Sequence, residues 1–287
     1  QDIPLDDKRL LNVFDENMPE PKQFVSALLK CRMLFDRYII KRENDEDWSL
    51  KTLKYYGKNS DRKQSTFDYV NSSEGESKHL IMLLSMFHVS FPALVYKHWL
   101  NDALAYLYKE SDENGEVNGE AYFQHLEKMN DRFFFGRFGK TSGEPIDYFD
   151  LTYRKPAIPI EFDLTHLVQS TNVQNFIFNR LDYLLWRQLN TGEVFDGVDM
   201  TYVRKRVDNF SFTFRTSVEH YYPQHPLSGL PLNLSDALPI GVDSFGNLCL
   251  ISRSNNSKLS NYLPEAKKEH YEKSSNVESL KQVFMMS

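Results

Sequence analysis

Apolar positions recur at helical spacing through most of the first 200 residues and then switch to alternation, so the chain reads as two kinds of structure in succession. From Glu20-Pro21, with proline in the first turn, Phe24, Leu28, Cys31, Phe35 and Tyr38 fall at helical intervals, and the spacing predicts a helix to Arg42 closed by the polar run Glu43 to Trp48. The segment 56–78 is poor in apolar residues and carries Gly57, Asn59, Ser60 and Ser72-Ser73-Glu74-Gly75, which predicts a mobile loop. Two helices follow, over 79–90 and 92–109, with Pro92 at the join. The polar stretch from Glu110 to Gly115 is a turn, and Asn118 caps a helix through Arg132. Thr171 or Asn172 caps a further helix whose Phe176, Ile177, Leu181, Leu184, Leu185 and Leu189 line one face.

Past Asp199 the period becomes two. Phe210, Phe212 and Phe214 alternate with Ser211, Thr213 and Arg215, predicting a strand that runs into Val218-Glu219-His220. A loop with Pro223, Pro226, Gly229, Pro231 and Pro239 leads to Gly246-Asn247 and a short apolar strand, Leu248 to Ile251; Ser254 then caps a helix from Asn255. The fold class expected is therefore α+β, with an all-helical domain over 1–200 and a strand, loop, strand, helix domain over 201–287.

Composition narrows the class. The chain has 287 residues, 41% of them hydrophobic, with 21 Phe and 16 Tyr, enough to build cores for two domains. The most apolar stretch, Leu80 to Trp99, is broken by His88, Pro92, Lys97 and His98, which makes it a buried helical segment and no membrane span. Cys31 and Cys249 stand far apart outside any CxxC pattern, excluding a disulfide framework and a cysteine zinc site and fitting a reducing cytoplasm. Gln1 in place of Met, with no leader after it, suggests a fragment without a signal peptide. The net charge of −6 is uneven, with 24 basic against 32 acidic residues in 1–199 and 10 against 8 in 200–287, so the second part tolerates phosphate better than the first.

Hydrolysis of a phosphodiester needs an activated water and a cation against the charge that grows on phosphate and leaving oxygen. Histidine is suited to act as a base near neutral pH, and a carboxylate next to it can hold a hard divalent cation; His220 and Glu219 fit those roles. Adjacent residues on a strand point to opposite faces, so the pair requires a strand end, which Tyr221-Tyr222-Pro223 suggests. Asn247 and Asn256 are candidates for a second oxygen ligand and for a support of the histidine. Asn247 read alone is also an ordinary turn residue. Arg253 and Lys258, flanking Asn256, lead a basic set with Arg204-Lys205-Arg206, Arg215, Lys267 and Lys268 that is available for phosphate contact or for a solvated surface. His225 and His270 read as solvated histidines.

Together, Glu219-His220-Tyr-Tyr-Pro223, Phe245-Gly-Asn247-Leu-Cys-Leu-Ile251 and Asn256-Ser-Lys-Leu-Ser-Asn261 resemble the HNH, or His-Me finger, nucleases, and more closely the C-terminal HNH domain of GmrSD-type restriction proteins over about 205–271. The resemblance implies a ββα-metal fold for that domain and a metal-dependent endonuclease that cleaves DNA. It implies His220 as general base, Asn247 as the residue orienting it, and Glu219 and Asn256 as ligands of Mg²⁺ or Mn²⁺; of the basic set, Arg253, Lys258 and Arg215 are the candidates for contact with nucleic acid. It further implies a role in restriction of foreign phage DNA, modified DNA included. Members of the family also carry an N-terminal ParB-like domain that uses nucleotide, with an Asp-Gly-Gln-Gln-Arg type motif that nothing in this chain matches, so the partner domain is expected outside it. Two departures stand out: Glu219 takes a place where Asp is commoner, and the cysteine zinc staple of many HNH domains is absent. A catalytically silent DNA-binding module and an RNA nuclease are the competing readings.

Overall fold

The computed structural model describes residues 10–16, 18–42, 47–58, 64–71, 77–92, 97–228, 240–259, 261–274 and 276–287. Asn59, Ser60 and Ser72 to Gly75 of the predicted loop, and Gly229, Pro231 and Pro239 of the long loop before Asn247, lie outside them. The chain divides into two compact units, the first holding the segments up to Leu84, Phe91–Arg137 and Ile146–Ala157, the second Ser85–Ser90, Phe138–Pro145 and Ile158–Ser287. Residue 200, where the sequence period changes, lies inside the second unit.

In the first unit, α1 (Leu10–Glu16) precedes α2 (Pro21–Tyr38), which starts as predicted: the Glu20 carboxylate accepts from Gln23 N at 2.7 Å and Pro21 sits in the first turn. The helix ends before Arg42 because Ile39 turns extended and both Ile39 and Ile40 are buried. Its buried side is also not the predicted stripe, since Leu34 is 2% exposed and Leu28 58%. Part of the predicted loop is an antiparallel hairpin, β1 (Lys51–Tyr56) with β2 (Thr66–Asn71), so this unit is not all-helical. The paired Tyr55 and Phe67 rings lie 4.9 Å apart, a cross-strand contact that stabilises the ladder although Leu53, Tyr55 and Phe67 all face solvent. Burial, which makes a strand legible as alternation, is missing here. α3 (Ser77–Ser90), α4 (His98–Glu110) and α5 (Gly119–Phe138) follow, α4 starting six residues after Pro92 and α5 capped as predicted by Asn118 Oδ1 on Ala121 N at 2.9 Å. α3 ends, and α5 leaves its last residue, in the second unit.

The second unit is built on α6 (Asn175–Asn190), which begins after Gln174 rather than at a Thr171 or Asn172 cap. α7 (Met200–Val207) is capped by Asp199 Oδ1 on Thr201 N and Tyr202 N, both at 3.0 Å. Phe210 and Phe212 are buried, and Phe210 bridges Val277, but the ladder itself begins later, at β3 (Ser217–His220), which pairs antiparallel with β4 (Leu248–Ile251). All four β4 residues are buried, because the strand has β3 at its edge and α6 and α10 (Leu280–Met286) over it, and a strand covered on both faces is apolar throughout. α8 (Arg253–Leu259) and α9 (Pro264–Glu272) complete the unit. The mixture of helices with two small sheets is α+β.

Polar groups tie this unit together from within. Asp182 on α6 accepts from Arg215 Nη1 at 2.6 Å through one oxygen and from Ser279 Oγ at 3.1 Å and Lys281 N at 2.8 Å through the other. Lys281 Nζ donates to the carbonyls of Phe245 at 2.7 Å and Leu248 at 2.6 Å, and burial pushes its pKa down to about 8. A lysine whose folded pKa lies below its unfolded value binds fewer protons folded than unfolded in the window between them, so stability rises with pH there. Relative to Lys281→Met, the wild-type chain should therefore gain on the order of 3 kcal/mol between pH 8 and pH 10.5, read by urea unfolding; a flat difference across that window would contradict the burial of the ammonium.

Candidate functional site

The motif residues meet because β3 and β4 pair in the register Glu219↔Cys249 and His220↔Leu248. Beyond His220 the ladder makes one more bond, Tyr221 N to Asn247 O at 2.8 Å, and the chain then turns away through the buried Pro223. The pair thus stands at a strand end, as the chemistry requires. Alternation along β3 puts Ser217 and Glu219 on one face, and Asn256 on α8 reaches that face by donating from Nδ2 to Ser217 Oγ at 2.5 Å. Glu219 and Asn256 therefore border the same side of the hairpin.

Glu219 is buried, and Lys267 of α9, 1% exposed, donates to its Oε1 at 2.5 Å and to His220 O at 2.5 Å. Burial raises the Glu219 pKa above the ordinary value, opposed by the Lys267 ammonium. Lys267 is thus no surface phosphate ligand, as the basic set suggested, but the internal partner of the motif carboxylate. Its signal in the sequence is weak: it lies four residues before Tyr271, and these two form the buried side of α9.

His220 has its side chain 12% exposed and its Nε2 2.7 Å from Asp243 Oδ1. The same Asp243 oxygen accepts from Gln224 Nε2 at 2.8 Å, and hydrogen bonding from His220 first, with help from Ser170 and Gln224, holds the Asp243 carboxyl below its usual pKa. Nothing in the sequence sets Asp243 apart from other loop carboxylates, and it was not among the predicted site residues.

Asn247, predicted to orient His220, acts on the backbone. Its Oδ1 accepts from Tyr222 N at 2.8 Å, and its Nδ2 donates to Tyr222 O at 2.9 Å and Val242 O at 2.8 Å. The buried amide thereby clips the segment after His220 to the turn that carries Asp243, and no bond joins it to the imidazole among the described contacts.

Of the expected phosphate ligands, Arg253 and Lys258 are exposed at the two ends of α8. Arg215 is not available to nucleic acid. Its side chain is 0% exposed and bonded to Asp182, Asn179 Oδ1 and the carbonyls of Leu250 and Glu278. The alternation that placed Arg215 on an outer face holds through Phe210 and Phe212 and reverses after Thr213, where Phe214 is 48% exposed and Arg215 turns inward to Asp182.

Glu219 and Asn256 supply hard oxygen donors of the kind that suit Mg²⁺ or Mn²⁺, cations bound by one or two protein oxygens with water and phosphate completing the shell. Among the described residues, no group of three or more His, Cys, Asp or Glu side chains is placed to hold a metal ion.

A strand, loop, strand and helix with Glu-His at a strand end and Asn on the helix define a class of domain. Residues 160–283 match the family model of GmrSD restriction endonucleases, C-terminal domain, the family to which the motif's wording pointed. No curated protein and no solved structure matches the chain. Among the described residues, no helix is long and apolar enough to cross a membrane.

Proposed function

We propose that the second unit carries a metal-dependent HNH-type (ββα-metal) endonuclease site that cleaves DNA, serving restriction of foreign phage DNA, modified DNA included. The observations that support the reading are Glu219-His220 at the end of β3, Asn247 bonded to the backbone just beyond it and Asn256 bonded to Ser217 on the same strand, inside a region that matches the restriction-nuclease family. His220 takes the proton of the attacking water from its place at the end of β3. Glu219 and Asn256 would hold the cation, which when bound supplies positive charge against the phosphate and the leaving 3′ oxygen. Lys267 holds Glu219, Asn247 holds the two backbone segments, and the exposed Arg253 and Lys258 contact phosphates. A ParB-like nucleotide-using domain is the expected partner for recognition of the DNA to be cut.

One observation favours a second reading, a silent DNA-binding module: Lys267 already gives Glu219 a cation of its own. Incubation of supercoiled plasmid with the purified chain and Mg²⁺ or Mn²⁺, beside an EDTA control, separates the two. Nicked or linear DNA that requires the cation is expected, with RNA offered in parallel left intact. Folded protein that cuts neither plain nor phage-modified DNA would favour the silent module, and RNA cut in preference to DNA would move the assignment to an RNA nuclease.

A further inference from the structure

We propose that Asp243 is the positioning residue of His220: it holds the imidazole in the Nε2–H form and so makes Nδ1 the nitrogen that accepts the proton of water. This rests on the proposed nuclease reading for the role of His220, but the ring's state stands on geometry alone. A carboxylate can only accept hydrogen bonds, so Nε2, 2.7 Å from Asp243 Oδ1, must be the donor. A neutral imidazole carries one N–H, and with it committed to Asp243 the lone pair lies on Nδ1.

The surroundings fix Asp243 for this purpose. Gln224 Nε2 donates to the same oxygen at 2.8 Å, and the Ser170 side chain helps to hold the carboxyl below its usual pKa. Donors of this kind keep the group ionised and therefore an acceptor. Ser170 is held at φ 52, a left-handed conformation that a non-glycine residue adopts at a cost, and the turn bearing Asp243 opens on Gly241 at φ 61. Asn247 adds the outer layer: its bonds to Tyr222 and Val242 join the residues next to the imidazole and next to the carboxylate. Two residues thus divide the work that the motif alone would assign to Asn247, the amide setting the backbones and Asp243 setting the ring.

The test uses the full chain with Asp243→Ala, a change at a side chain 34% exposed, where folding is expected to persist. Proton–nitrogen correlation spectra of the histidine rings, with the His220 signal identified by its loss in His220→Gln, should report Nε2–H in the wild type and a mixture of ring forms in Asp243→Ala. Plasmid cleavage should lose about 10–100-fold in kcat. The KM for DNA should stay within about twofold, since the residue does not touch substrate. A wild-type ring protonated on Nδ1 would overturn the proposal, as would wild-type cleavage by Asp243→Ala in an assay where His220→Ala is inactive. A wild-type chain that cuts no DNA sinks the nuclease reading, whereas the spectrum reports the ring's state independently.

Discussion

His220→Ala should lower cation-dependent cleavage of supercoiled plasmid by about 10²–10⁴-fold, the range over which a positioned general base acts. The same substitution should hardly change stability. His220 contributes one side-chain hydrogen bond, to Asp243, and its loss is worth about 1 kcal/mol. Asp243 keeps Gln224 as a partner and is partly open to solvent, so no buried charge is stranded. His225→Ala is the control: His225 is exposed beyond the strand end and should cut DNA as the wild type does. Equal rates for wild type and His220→Ala, measured on protein of unchanged melting temperature, would remove His220 from the reaction.

The second large effect belongs to stability. Arg215→Ala should destabilise the chain by roughly 3–5 kcal/mol, because it leaves the Asp182 carboxylate, itself 0% exposed, without its charged partner. The Arg215 guanidinium also satisfies the Leu250 and Glu278 carbonyls and Asn179, so its loss loosens α6, β4 and the segment before α10 together. Replacing Arg215 and Asp182 together by apolar residues of similar volume should cost much less than Arg215→Ala alone, since removing both charges strands neither. Urea unfolding measures both variants. Were Arg215 a surface phosphate ligand, Arg215→Ala would leave unfolding unchanged and weaken DNA binding, the opposite pattern to the one expected.

Arg215 and Lys267 mark one limit of sequence reading. Both belong to a stretch with a basic surplus, and a cation in such a stretch is ordinarily solvated, so their burial could not be read without the residues that cover them. Those residues are distant along the chain: Asp182 for Arg215, and the end of β3 for Lys267. Asp243 is a similar case, since only the turn closed by Gly241 and the Asn247 clip bring it to His220. The hairpin β1–β2 escaped for another reason: its strands carry aromatic and β-branched residues, but the apolar Leu53, Tyr55 and Phe67 are exposed, so they mark no core face.

The sequence by itself determined the features that depend on near neighbours. The Asn118 cap and the helix after it, the wholly apolar β4 and the Glu219, His220, Asn247, Asn256 order follow from backbone hydrogen bonding and from period, which act within a few residues. The predicted face of α6 holds at Phe176, Ile177 and Leu189, while Leu181, Leu184 and Leu185 are half-buried and Asn179, Asp182, Tyr183 and Trp186 are buried instead. The tertiary structure decided what depends on contact between distant segments. It put α6 in the same unit as the strands, through Asp182 and the core around Phe178, and gave Glu219 a lysine and His220 an aspartate as partners. Burial and ion pairing are properties of the folded surroundings, and those surroundings come from segments that no local pattern connects.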